Sequence, residues 1–279
     1  MSRKSSEMLM SKSSSKKWAI ILAYYNEEDF LEKTLHSLAQ QTQKDFTLYL
    51  VNNASTDRSP ELAEIFARKH PELDIQLLEE KRPGQVFAQQ TALSHITTAF
   101  VAACDADVVY PPQYLQLAEE GFALKGEATN AVFALDLYCP PNTLKARITT
   151  LLWRFNVLLH PLRKSCHAGA YAQTYRTSTL KRIGGFITPK WPYLFQDHEM
   201  AHRAQKIGKI FHNHRLICFP SDRRPIGHHP GKRTRLEHIL YGWTPGFLKD
   251  WYFYKFLGPR FAQRNAVIEK LRVQPWEKK

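Results

Sequence analysis

The chain predicts an α/β fold with a mostly parallel central sheet flanked by helices. Three observations point there. Short apolar runs alternate with segments of helical periodicity over the first two-thirds of the sequence. Alternation of that kind implies right-handed strand–helix–strand crossovers. Polar clusters follow three of the apolar runs, and ligands of such sheets gather beyond the carboxyl ends of the strands. The 279 residues, 43% of them hydrophobic, are ample for the core of one large domain.

The elements follow in order. Residues 18–24 are an apolar run of strand length. Residues 27–41 carry Phe30, Leu31, Leu35 and Leu38 at helical spacing. Residues 46–51 form a second strand, closed by Asn52 and Asn53. Residues 59–70 read as a helix with Leu62, Ile65 and Phe66 on one face. A third strand spans 74–78, a helix 83–95, and a fourth strand 98–104, ending at Asp105. Past residue 130 the pattern loosens. Residues 131–138 and 169–175 are strand-like, and 142–159 suit an amphipathic helix. Residues 178–183 form a short helix closed by Gly184 and Gly185. Residues 196–207 are helical up to Gly208, and 209–219 make a last strand.

Three polar clusters therefore converge at strand ends: Tyr24-Tyr25-Asn26-Glu27, Asn52 to Asp57, and Asp105-Ala106-Asp107. The third is the most informative. Two carboxylates one residue apart leave a buried strand together, offering hard oxygen ligands to a divalent cation bound to a diphosphate. The plain alternative is a solvated turn. No G-x-G-x-x-G follows the first strand and no G-x-x-x-x-G-K-[ST] occurs, which argues against a dinucleotide or P-loop site. Phosphates would be held by a metal instead.

The net charge of +13 is concentrated at the ends: +4 in residues 1–17, +8 in 220–279 and +1 between. The chain divides into a disordered basic tail (1–17), a catalytic body (18–219) and a basic, aromatic C-terminal segment (220–279). Residues 241–261 hold nine aromatics interleaved with Lys249, Lys255 and Arg260. That mixture favours the interface of an anionic bilayer, with 148–159 as a second contact. The alternative is that these rings pack onto the body. No apolar run reaches the roughly 20 residues of a membrane span, and no secretory signal is visible. Cys104, Cys139, Cys166 and Cys218 lack a C-x-x-C pair and are expected as free thiols in a reducing compartment. The expected location is cytoplasmic, peripheral on the inner face of the cell membrane.

WAIILAYYNEE at 18–28, VNNASTDRSPELA at 51–63, RPGQVFAQQTAL at 82–93 and CDADVVYPPQYL at 104–115 come in order. AGAYAQTYRTSTLKRIGGF at 168–186 and QDHEMAHRAQKIGK at 196–209 follow. Together these blocks resemble the inverting, family 2-like glycosyltransferases with the GT-A fold. The resemblance implies transfer of a sugar from a nucleotide-diphosphate donor, UDP-sugars favoured, to a hydroxyl of a saccharide or lipid-linked acceptor. It implies Mg²⁺ or Mn²⁺ on Asp107, with Asp105 near the metal or the donor. Tyr25 would lie by the nucleobase, Asn53 would hydrogen-bond it, and Asp197 would be the general base. Glu27 belongs to the same donor-facing cluster. Asp57 is either a donor contact or a loop anchor, and Arg82, like Arg223 and Arg224, either meets diphosphate or an anionic acceptor or is a solvated surface charge. Glu199 is the reserve base, its alternative being an exposed helix residue. His228 or His229 would complete the metal shell or sit in a basic loop.

Gln196, Gln85 and Gln90 depart from the family's usual Glu, Lys and Asn. The Q-x-x-R-W of processive synthases is absent, so a single addition is expected. Two rivals stay open. A nucleotidyltransferase of similar fold would also use paired Asp and a metal, but its Gly-rich basic first loop is missing. A basic nucleic-acid-binding protein would explain the charge and the aromatics but not the neutral body; no nucleic-acid partner is expected.

Overall fold

A computed structural model describes residues 16–136, 143–144, 148, 151–152, 171, 173–221 and 233–268. Strands β1 (Trp18–Tyr24), β2 (Phe46–Asn52), β3 (Asp74–Glu79) and β4 (Phe100–Asp105) alternate with helices α1 (Leu31–Ala39), α2 (Ser59–Lys69) and α3 (Gln85–His95). Then come β5 (Val108–Val109), α4 (Tyr114–Lys125), β6 (Thr129–Asp136), β7 (Gln173–Arg176), α5 (Thr177–Arg182), α6 (Gln196–Ile207) and β8 (Lys209–Pro220). The last elements are α7 (Arg235–Trp243), a 3₁₀ turn (Gly246–Leu248), a π-helical stretch (Trp251–Leu257) and α8 (Gly258–Gln263).

Among the described residues the strands form one eight-stranded sheet in the order β3-β2-β1-β4-β7-β6-β8-β5. The half from β3 to β4 is parallel, as the alternation predicts. The other half is mixed: β7 runs antiparallel to both β4 and β6, β8 parallel to β6, and β5 antiparallel to β8. The mixture starts where the strand–helix alternation lapses, after residue 136. β1 is buried along its whole length, which is why it reads as an unbroken apolar run rather than an alternating one. β3 lies at the edge and is half exposed.

Helix α1 starts at Leu31, later than the periodicity suggests. Asn26 takes a left-handed backbone, φ 52°, and residues 26–28 are bonded to the loop after β2 instead of to a helix. Leu31, Leu35 and Leu38 are buried as expected. Gly184 and Gly185 close α5 with φ of 87° and 78°.

Two hydrophobic cores result. The larger fills both faces of the sheet. The smaller gathers Trp191, Leu194, Tyr241, Tyr252, Phe253, Leu257, Phe261 and Ala266. Of the nine aromatics in 241–261, Tyr241, Tyr252, Phe253 and Phe261 are buried, whereas Trp243, Phe247 and Trp251 are exposed. Burial of each such ring contributes about 1.5–3 kcal/mol, so packing accounts for part of this cluster but not for all of it. No described helix is long and apolar enough to cross a membrane. Of the segment 148–159, Ile148, Leu151 and Leu152 are described and exposed; its other residues lie outside the described part, as do residues 1–15. Cys104 and Cys218 are buried free thiols; Cys139 and Cys166 lie outside the described residues.

Candidate active site

The sheet register aligns the three polar clusters. Tyr24 pairs with Asn52, Ala23 with Asp105, and Asn52 with Glu79. The carboxyl ends of β1, β2, β3 and β4 thus finish level, and the loops they feed rise from one edge of the sheet. These loops are stitched together. The Asn26 backbone N–H donates to Ser55 Oγ (3.2 Å), and Asn26 Oδ1 accepts from the Thr56 N–H (2.8 Å). Glu27 N–H donates to Ser59 Oγ (2.7 Å) and Glu28 N–H to Asp57 Oδ2 (3.0 Å). Asp57 also accepts from the Ser59 N–H (3.0 Å) and hydroxyl (2.9 Å). Of its two readings, the anchor is the one these bonds describe.

The Asp105 turn is fixed from three sides. Asp105 N–H donates to the buried Tyr110 hydroxyl at 2.9 Å. Thr34 of α1 donates to the Ala106 carbonyl at 2.8 Å. Antiparallel pairing of β5 with the end of β8 brings in Ser221, whose hydroxyl donates to Asp107 Oδ2 at 2.6 Å. Gln85 at the start of α3 donates to Asp105 Oδ1. Burial pushes the Asp105 carboxyl up to about 8, and the charges of Asp107, Asp197 and Glu27 push the same way against the Gln85 hydrogen bond. Three other carboxylates therefore act on Asp105, drawn from the loops after β1 and β4 and from α6. Such a concentration of negative charge is stable when a cation enters it.

Asn53 is bonded within the protein. It is 5% exposed, and its amide is committed to the loop after β3. Nδ2 donates to the Glu80 and Arg82 carbonyls (2.8 and 2.7 Å), and Oδ1 accepts from the Gly84 N–H (2.9 Å). Both amide hydrogens are used, so Asn53 shapes the loop, while Oδ1, the acceptor expected to meet a base N–H, has two lone pairs and takes the Gly84 N–H on one. Arg82 in that loop clamps Glu80 with Nε at 3.0 Å and Nη2 at 2.8 Å, and lies 4.9 Å over the Phe87 ring. Those Arg82 bonds, helped by Thr91, hold the Glu80 carboxyl down at about 2. The diphosphate contact expected of Arg82 competes with this pair. Tyr25 sits half-buried at the mouth of the loops.

Asp197 is the second residue of α6 and half-buried. The residue capping that helix, Phe195, holds a left-handed backbone at φ 68°, a conformation that costs a bulky side chain roughly 1–3 kcal/mol. It is held by packing. The His198 ring stacks on Phe195 at 3.8 Å, and the Arg233 guanidinium lies 4.0 Å over the same Phe195 ring. His198 Nδ1 is 2.8 Å from the Tyr241 hydroxyl, and its Nε2 is 3.8 Å from Asp197 Oδ2. Glu199 is not the exposed helix residue of its alternative reading. It is fully buried, accepts from Arg203 Nε (2.9 and 3.1 Å) and from the Tyr254 hydroxyl (2.5 Å), and burial raises its pKa despite these partners.

Sequence reasoning missed Ser221, Glu80, His198 and Tyr241 as parts of this region. Gln85 and Gln90 were visible only as departures from a pattern. Gln85 turns out to hold Asp105, and Gln90 accepts from the Phe186 N–H (2.9 Å). A Cβ on Gly185 would lie 2.2 Å from Gln90 Oε1, so the glycine, itself left-handed, makes that bond possible. Arg223, Arg224, His228 and His229 lie outside the described residues.

Comparison with known proteins agrees with this geometry. The family model described as glycosyl transferase family 2 matches residues 19–207. The chain is 35% identical over 92 residues to a teichoic acid poly(glycerol phosphate) polymerase of Staphylococcus epidermidis, covering 33% of this chain and 13% of that protein. It is 32% identical over 102 residues to the uncharacterized glycosyltransferase YibD of Escherichia coli, covering 36% and 29%. The matched segments thus span less than a third of either relative's own length. Among solved structures, the mannosyltransferase PcManGT of Pyrobaculum calidifontis, in complex with GDP-Man and Mn²⁺, superposes with a TM-score of 0.61 at 23% identity, over 93% of this chain and 71% of that one. TarS of S. aureus in complex with UDP-GlcNAc gives 0.56 at 19% identity, over 88% and 73%. These similarities establish the GT-A architecture.

Proposed function

The chain belongs to glycosyl transferase family 2, and on that premise we propose that it moves a sugar from a nucleotide-diphosphate donor to an acceptor hydroxyl, once per acceptor, with inversion at the anomeric carbon. The observation that carries the reading is the level finish of β1, β2 and β4, which brings the clusters 24–27, 52–57 and 105–107 to one edge of the sheet.

In this reading Asp107 and Asp105 hold a Mg²⁺ or Mn²⁺ ion. The donor set fits: carboxylate oxygens are hard ligands, and such ions are commonly held by one or two carboxylates with substrate phosphates supplying the rest. The Mn²⁺ reported with PcManGT supports the assignment. When bound, the ion neutralises charge on the departing diphosphate. Ser221 and Gln85 hold the two carboxylates in place.

Asp197 takes the proton of the acceptor hydroxyl as that oxygen bonds to the anomeric carbon. The bond from that carbon to the diphosphate breaks on the opposite face, and the electron pair leaves with the nucleoside diphosphate. One base suffices, and no enzyme nucleophile is needed. Tyr25 lies against the nucleobase. Asn53 and Asp57 fix the loops that frame it, Glu27 lines the donor side, and Arg82 meets the diphosphate. We favour a uridine donor, in line with the UDP-GlcNAc complex of TarS, although PcManGT was captured with GDP-Man. The acceptor is a saccharide or lipid-linked glycan of the cell envelope, met at the inner face of the membrane.

The test is release of nucleoside diphosphate from a panel of UDP-, GDP- and dTDP-sugars with Mn²⁺, paired with calorimetric titration of the same donors. Turnover of one donor supports the reading. Salt-sensitive oligonucleotide binding without turnover of any donor would replace it with the nucleic-acid reading.

A further inference from the structure

Helix α7 is built inside out. Its acidic residue, Glu237, is 2% exposed and turned toward the protein, where it closes a capping box with Thr234 and pairs with Arg264 at 3.1 Å. Its large apolar residues Leu236, Ile239 and Trp243 face outward, each more than half exposed. Spacings of three and four place them on one stripe of the helix. The chain continues with Phe247, 84% exposed, then Leu248 and Trp251. An apolar surface of this extent on an otherwise well-packed lobe marks an interaction site.

Charge selects the occupant. The acidic residues of the described segment 233–268 are Glu237 and Asp250. Arg264 neutralises the first. Lys206 (2.6 Å) and His202 (2.7 Å) bond the second. Arg235, Lys255 and Arg260 are exposed, so basic groups dominate the surroundings of the stripe. Two copies meeting through this face would bring like charges together, which disfavours a homodimer. Exposed tryptophans beside basic side chains suit the headgroup layer of a negatively charged membrane.

We propose that this face docks on an anionic lipid bilayer, with α7 lying in the plane of the interface and Leu236, Ile239, Trp243 and Phe247 reaching the acyl boundary. The same helix carries Tyr241, whose hydroxyl bonds His198 beside Asp197. Docking therefore orients the candidate base relative to the lipid surface, and in that respect the inference rests on the transferase reading; the surface itself does not.

The purified full chain is sedimented with vesicles of phosphatidylcholine alone and with added phosphatidylglycerol. Binding to the anionic vesicles, weakened by salt and absent from the neutral ones, is the expected result. The double variant Trp243→Ser/Phe247→Ser should bind at least about tenfold more weakly, since one buried ring already outweighs the 1.4 kcal/mol that a decade requires. Its donor turnover should match wild type, because neither side chain touches the carboxylate cluster. Absence of sedimentation, unchanged sedimentation of the variant, oligonucleotide binding lost in the variant, or a dimer by light scattering that the variant dissociates would each overturn the proposal. Vesicle binding with no turnover of any donor would leave it standing and remove the transferase reading.

Discussion

The core around β1 and β4 and the core around Trp191 hold together by different means. In the first, Ala19, Ile20, Ile21 and Leu22 lie against Val101, Ala102, Ala103 and Cys104 in register, and shape is fixed by backbone ladders. In the second, the elements are short and irregular, and shape is fixed by individual side chains. Trp191 meets Phe253 edge-on at 5.3 Å, Lys249 lies 4.0 Å over the Tyr241 ring, and Glu237 joins Thr234 to Arg264. The sheet can lose one contact and keep its geometry. The lobe depends on each polar pair, because an unpartnered charge inside it is expensive. Asp197 stands on α6, between the two.

Four experiments would break or sharpen this contrast. Asp197→Asn should reduce turnover by about 10²–10⁴-fold, the usual contribution of a general base, with donor affinity by calorimetry unchanged; wild-type turnover would remove the residue from the mechanism. Glu237→Gln should destabilise the lobe by about 3–5 kcal/mol, as expected when one partner of a buried ion pair is removed. Hydrogen exchange should then show 235–264 opening while β1, β2 and β4 stay protected. Uniform loss of protection would mean that lobe and sheet unfold as one, and the contrast would fall. Tyr241→Phe removes a hydroxyl worth about 1 kcal/mol, and kcat should drop about fivefold with the donor KM unchanged. An equal change in both would assign Tyr241 to folding alone.

The last effect concerns pH. Burial pushes the Lys249 ammonium down to about 7, and Arg233 adds to the shift. An unfolded lysine titrates near 10.4, so between these values the unfolded chain holds the extra proton. Stability should rise with pH from about 7 toward 10, and the full cost of burying the charge is felt below 7. Lys249→Met should flatten that slope in chemical denaturation at several pH values.

The same contrast explains what the residues disclosed in advance. β1 and β4 are buried on both faces and read as apolar runs; α1 and α2 bury one stripe and read as period 3.6. The D-x-D pair was legible because it sits where such a strand stops. Asp57 as an anchor was within reach of Asx-turn chemistry. The inward turn of Asn53 was not, since its partners, the carbonyls of 80 and 82, are backbone groups that carry no sequence signal. Ser221 was invisible for a related reason: it meets Asp107 only because β5 and β8 pair across more than a hundred intervening positions. In the C-terminal segment, composition announced aromatics and charge. It could not announce that Glu237 faces in and Trp243 faces out, because capping and ion pairing outweighed the hydrophobic pattern there.

Ile268, near the end of the described chain, touches the glycine that closes the Asn53 loop. A Cβ on Gly84 would lie 2.6 Å from Ile268 Cγ2, and Gly84 itself has φ 127°. The C-terminal segment and the loop after β3 thus share a steric joint. A chimera that grafts another relative's tail onto this body should work only when the graft carries a side chain that seats over position 84, so the sequence of that loop and of the tail are constrained to change together.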